Sequence, residues 1–165
     1  MRILASAILA CVVTACGGDN LNGKWKGNGK LHSDTLQADV GYTAAATFKS
    51  ATSAYQIDLT IGAPINGTMT MTGTYSDDGK QLTLKTVTAS TQSAGITVEA
   101  APPAGYTCLN LSLTEVCFKT PQTNAYTVEA QTLTINVQFA SADPGVTPLV
   151  AVDSKTPATA TLTKQ

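Results

Sequence analysis

Apolar side chains that recur at every second position constrain this chain most, because only an extended strand sets such residues on one face. Tyr55, Ile57, Leu59 and Ile61 do so between polar or small neighbours. Met69, Met71 and Tyr75 repeat the pattern around Gly73, followed by Leu82 with Leu84 and by Leu133, Ile135, Val137 and Phe139. A last run sets Ala158, Ala160 and Leu162 against Thr159, Thr161 and Thr163. No window of ten or more residues reads as an amphipathic helix. Composition agrees, since 27 of the 165 residues are Thr, whose branched β-carbon favours extended backbone. The expected strands are 23–32, 41–49, 54–62, 67–75, 80–88, 94–99, 126–129, 131–140 and 157–164.

Turn chemistry joins these runs into hairpins. Ser76-Asp77-Asp78-Gly79 separates two of them, and Gly79 can take the positive φ that a tight connection needs. Asn66-Gly67 marks another turn. A weak internal repeat accompanies the turns: Tyr75 stands seven and nine residues before Leu82 and Leu84, as Tyr126 does before Leu133 and Ile135. One hairpin design used twice suits a meander. The fold class expected is all-β, a small antiparallel up-and-down barrel of eight to ten strands. An immunoglobulin-like sandwich is the structural rival, but its Cys…Trp…Cys order is absent. Residues 108–118 read either as a strand, through Leu109, Leu111 and Leu113, or as a helix face. Residues 89–125 form an insertion into the hairpin rhythm.

The charge balance excludes one class of partner. Ten Lys and Arg against eleven Asp and Glu give a net charge of -1, with none of the cationic clustering that phosphate neutralisation requires, so no nucleic acid is expected.

The N-terminus carries an address. Met1-Arg2 is positive, and 3–13 is apolar apart from Ser6. This is too short for the roughly 20 residues of a membrane-spanning helix, and it suits a signal peptide. Val13-Thr14-Ala15-Cys16 resembles the lipobox of bacterial lipoproteins. The resemblance implies removal of residues 1–15, a diacylglycerol on Cys16 and further acylation (palmitate or a similar chain) at the new N-terminus. Residues 16–20 would then be a lipidated cysteine and tether, with 21–165 a single barrel domain. Gly17 is not the aspartate that holds many lipoproteins at the inner membrane. A cell-envelope location is therefore expected, at the outer membrane where the cell has one.

Cys108 and Cys117 remain as an isolated pair. Export permits oxidation, and a bridge would close a ring of about ten residues, for about 2.5–3 kcal/mol in the chain-entropy model. Two reduced thiols are the alternative. No metal site is expected, because the single histidine, His32, has no carboxylate cluster beside it.

Leu21-Asn22-Gly23-Lys24-Trp25 carries a Gly-x-Trp that resembles the opening of the first strand in lipocalins and their calycin relatives. Small bacterial lipocalin-like lipoproteins look similar in joining a lipobox, a brief tether and Gly-x-Trp to such hairpins. The resemblance implies that Trp25 packs across the closed end of a barrel, where the family commonly covers it with a late arginine. The only Arg here is Arg2, so Lys164 is the expected cover, by a cation–π contact.

No catalytic constellation is present. There is no His-Glu-x-x-His, no Gly-x-Ser-x-Gly and no phosphate loop. Gly27-Asn28-Gly29 reads as a bulge or turn, and Asp77-Asp78 as a solvated turn. The chain is read as a non-enzyme with no cofactor. It is expected to be a membrane-anchored lipoprotein and lipocalin-like binding module for a small apolar or amphipathic ligand. The alternative is an envelope protein-interaction module, an inhibitor or assembly accessory with a filled barrel. In either case Tyr106 and Phe118, in the apolar insertion, are the candidate contacts.

Overall fold

A computed structural model describes residues 20–33, 38–63, 66–91, 96–98, 100, 104–111, 114–137 and 158–165. The signal segment and Cys16 lie outside these residues. Twelve strands follow in order: β1 (Gly23–Ser33), β2 (Ala38–Lys49), β3 (Ala54–Ile61), β4 (Gly67–Asp77), β5 (Gln81–Leu84), β6 (Thr88–Thr91), β7 (Ile96–Val98), β8 (Tyr106–Leu111), β9 (Thr114–Lys119), β10 (Gln122–Glu129), β11 (Thr132–Val137) and β12 (Ala158–Lys164). A single 3-10 turn, Ser50–Thr52, joins β2 to β3.

Eight of the strands close into an antiparallel barrel in the order β1-β2-β3-β4-β5-β10-β11-β12, with β12 pairing back onto β1. The all-β barrel expected from the alternation is thus present. Closure removes the open sheet edges that would otherwise invite aggregation. Around the floor, some large inward residues pair with small ones across strands. Trp25 faces Ala46, Phe48 faces Gly23, and Tyr55 faces Gly73. Such large–small pairs make room for the bulky rings inside a narrow barrel. Phe48 and Tyr75 meet edge to face, with centroids 5.3 Å apart.

The repeat read from the sequence is a repeat of register. Tyr75 pairs with Leu84 and Asp77 with Leu82, while Tyr126 pairs with Ile135 and Val128 with Leu133. Between the two hairpins lies the insertion. β6 continues beside β4 after a break at 85–87, and β7, β8 and β9 form a separate three-stranded antiparallel sheet. Ile96 at the start of β7 is buried in the common core, and the Thr107 hydroxyl donates to the Val87 carbonyl at 3.1 Å.

Several expectations need correction. Of the two readings left open for residues 108–118, strand is the one found, in β8 and β9. β10 begins at Gln122, not 126, because its first half pairs with β5. The run 80–88 is broken where Thr86 crosses Gly73, and a β-carbon at Gly73 would overlap the Thr86 carbonyl. Gly27-Asn28-Gly29 is neither bulge nor turn, since every residue of β1 pairs in register with β2.

Candidate functional site

The two ends of the barrel differ. At one end the connections are short: the 3-10 turn, the turns at 78–80 and 130–131, and the entry of the chain at Leu21. Here the interior is plugged. Leu21, Trp25 and Phe48 are at most 1% exposed, with Tyr55, Tyr75, Leu82 and Leu133 buried behind them. The Trp25 indole N–H donates to the Leu21 carbonyl at 2.7 Å, fixing the chain entry across the barrel floor. The Lys164 ammonium lies 5.3 Å from the Trp25 ring centre, the cover expected in place of arginine. Gly23, at φ +124°, lets that happen, because the Lys164 stem passes over it with only 3.2 Å to the position of a β-carbon.

Two tyrosines brace this floor. The Tyr55 hydroxyl donates to the Thr86 carbonyl at 2.9 Å, and burial pushes its pKa up to about 12. The Tyr126 hydroxyl donates to the Asp77 carboxylate, and burial and then this bond hold it well above the usual tyrosine range. Asp77 also accepts from the Gly79 amide at 2.7 Å. It is half-buried rather than part of a solvated turn. Asp78 behaves as expected: it is exposed, accepts from the Lys80 and Gln81 amides at 2.9 and 2.7 Å, and is held below the usual carboxylate range by them.

Toward the other end the inward row of β3 is less covered. Ile57, Leu59 and Ile61 on β3 and Tyr42 on β2 are half-buried, although they continue the rows that begin with the fully covered Tyr55 and Phe48. Small residues stand beside them: Gly27 pairs with Ala44, Ala44 with Leu59, and Gly29 with Tyr42. The Tyr42 ring lies against Gly29, where a β-carbon would overlap it. Burial raises the Tyr42 pKa, and its hydroxyl has no hydrogen-bond partner among the described residues. Met69 and Met71 line the neighbouring strand β4. Val40 on β2 and Met69 and Met71 on β4 stay buried at this end, so the less covered surface is confined to Tyr42 and the inward row of β3, which mark a candidate mouth.

The candidate residues from the sequence are spread over both features and the insertion. Gly23 and Trp25 belong to the floor. Tyr106 is half-buried at the start of β8, and Phe118 stands in β9 opposite Thr107. Cys108 is fully buried, and its register partner across the sheet is Cys117. The mouth residues Tyr42, Ile57, Leu59 and Ile61 were not singled out as contacts. Alternation marks Ile57, Leu59 and Ile61 as inward, but no sequence signal distinguishes an inward residue near a floor from one near a mouth. Among the described residues, no three His, Cys, Asp or Glu side chains converge. No family model, curated protein or solved structure matches the chain.

Proposed function

We propose that the chain is a lipid-anchored protein of the bacterial cell envelope whose barrel, lipocalin-like in use as well as shape, takes a small apolar or amphipathic ligand at its mouth. The observation that carries this reading is the contrast between the sealed floor and the less covered inward row of β3 with Tyr42. Trp25 and Phe48 seal one end at 1% exposure, while Tyr42, Ile57, Leu59 and Ile61 stay half-covered toward the other. Apolar side chains in that setting gain about 25 cal/mol for each Å² that a ligand removes from water. A single hydroxyl, that of Tyr42, is placed to orient a polar end, as sites of this kind use few polar groups. Anchoring through Cys16, close to the chain entry at Leu21, would hold the barrel near a bilayer, a ready source of such ligands. Two or more acyl chains are needed for stable attachment.

Native mass spectrometry of the protein released gently from membranes tests the ligand. A bound lipid-sized mass, lost in Ala44→Phe, supports the reading. Ligand-free wild type that binds no fluorescent fatty acid refutes it. The anchor is tested separately by the mass of the N-terminal peptide beginning at Cys16.

The proposal includes a Cys108–Cys117 disulfide. Direct cross-strand pairs stand about 4.5–5.5 Å apart at Cα, inside the 4.4–6.8 Å that disulfides span. Two thiols titrating in the denatured, unreduced protein would exclude it. One observation favours the protein-contact reading instead: Val98, on the three-stranded sheet, is the exposed large hydrophobic residue of the described chain, at 38%. Loss of an envelope partner in Val98→Asp, with ligand retention intact, would support that alternative.

A further inference from the structure

The outward face of β1 carries Lys24, Lys26 and Lys30 at alternate-residue spacing, interrupted only by Asn28, and all four side chains are exposed. Lys49, at the end of β2, extends this row on the adjacent strand. Four of the nine lysines therefore sit on two neighbouring strands of a protein with a net charge of -1. None of the four takes part in an ion pair among the described residues. On β12, β1 and β2 together the one acidic residue is Asp39, which lies opposite His32 at the mouth end of β1 and has contacts of its own. Asp58, on β3, is occupied by the Thr70 hydroxyl at 2.7 Å and by the Gln56 amide. Adjacent like charges repel and lower stability, so an uncompensated row points outward to something anionic.

We propose that this row is a docking surface for anionic lipid headgroups, on which the barrel lies on its side. The inference rests on the lipid-anchored reading and deepens it. The tether is short: from Cys16 to Leu21 the chain reaches at most about 17 Å. If the barrel stood on its floor, Lys30 would ride about 15 Å above Lys24, given 3.3 Å per residue and a strand tilt near 40°. That exceeds the roughly 8 Å Debye length at physiological salt, so Lys30 would feel little of the surface. Lying along β1 brings all four ammonium groups within that distance. The flanking residues permit close approach, since Thr161 and Thr163 on β12 and Thr43 and Ala45 on β2 are small. Each lysine near an anionic surface strengthens binding by about five-fold. The mouth would then open along the headgroup plane, where an amphipathic ligand leaves the bilayer.

The test is residue-resolved lysine acetylation of the protein purified from membranes and reconstituted into vesicles of phosphatidylcholine, with or without phosphatidylglycerol. Lys80 and Lys85, next to β5 and so across the ring from β1, serve as references. With phosphatidylglycerol, Lys24, Lys26, Lys30 and Lys49 should react at least about five-fold more slowly than the references. The protection should vanish in neutral vesicles, in high salt and in Lys26→Gln/Lys30→Gln. Equal rates on both sides of the barrel overturn the proposal. So does protection confined to Lys24 and Lys49, which would mean that the barrel stands on its floor. Should the purified protein carry no acyl group at Cys16, the anchor reading fails. The row is then tested by sedimentation with the same vesicles, and indifference to phosphatidylglycerol refutes it.

Discussion

The Tyr126–Asp77 hydrogen bond is the contact whose removal tests the barrel architecture most directly, because it joins the two copies of the hairpin across 49 residues of sequence. Tyr126 is 5% exposed, and its amide also donates to the Lys80 carbonyl at 2.9 Å, so the ring is held on the turn of the other hairpin from two sides. Tyr126→Phe keeps the ring and deletes the hydroxyl. A hydrogen bond to a charged group is worth about 1.5–3 kcal/mol. Asp77 is half-buried, so water recovers part of that, and a cost near 1.5–2 kcal/mol is expected. For a domain of this size, each kcal/mol lowers Tm by about 2–4 °C, giving a loss of about 3–8 °C. The assay is urea unfolding of Tyr126→Phe, Asp77→Asn and the double variant. Since the second substitution cannot break the same bond again, the cycle should show about 1 kcal/mol of coupling. Coupling within about 0.3 kcal/mol of zero would mean that the two hairpins are not joined through this pair, and the register repeat would lose its structural meaning.

The remaining outcomes are shorter. Gly73→Ala should destabilise by more than about 2 kcal/mol, because its β-carbon meets backbone, the Thr86 carbonyl, rather than a yielding side chain; a near-neutral urea midpoint would contradict the close crossing. Lys164→Met should keep most of the cover over Trp25 but lose the cation, costing about 0.5–1 kcal/mol and changing Trp25 fluorescence, whereas an unchanged emission would place the ammonium elsewhere. Tyr55 keeps its proton up to about pH 12 when folded but releases it near 10 when unfolded. Its contribution is therefore complete below pH 10 and is lost as pH rises from 10 through about 12, with the unfolded state deprotonating first. Tyr55→Phe should consequently flatten the fall in Tm between pH 9.5 and 11.5; an equally steep fall would show that other groups govern it.

How much of this was legible depended on the range of the signal. Alternation is local, so β1 to β4 and the β4–β5 and β10–β11 hairpins were readable from a few residues each. The register repeat was legible too, because Tyr75 and Tyr126 hold the same spacing to their aliphatic partners. The break at 85–87 was not, since it depends on Thr86 meeting Gly73 across the sheet, and nothing near Thr86 announces that. The first half of β10 was missed for a related reason: Gln122, Thr123 and Asn124 are polar, yet Asn124 is 4% exposed because it faces Leu82 on β5. Strands β8 and β9 were ambiguous in sequence because Leu109, Leu113, Val116 and Cys117 fit both periods. The lysine row follows from the strand expected over 23–32 only where that strand runs unbroken through Gly27 and Gly29. Read as a turn there, Lys30 would have no fixed relation to Lys24 and Lys26.

The glycines of β1 tie these features together. A strand beside Trp25 has no packing reason to place glycine at two successive inward positions unless something else needs the space. At Gly29 the occupant is the Tyr42 ring. At Gly27 the neighbouring strand β12 comes so close that a β-carbon would overlap the Thr161 carbonyl, and the partner on β2 is only Ala44. The β1 wall beyond Trp25 is therefore without a side chain at Gly27, where β12 packs against the backbone, and at Gly29, where Tyr42 of β2 takes the space. Further bulk comes from Leu59, Met69 and Met71 on β3 and β4, and long unbranched methionines adapt readily to what faces them. One wall fixed by backbone contact and one wall of adaptable side chains is a poor way to specify a rigid core. On the proposed binding reading, the adaptable side chains of that wall would be the ones to face an apolar guest above the sealed floor.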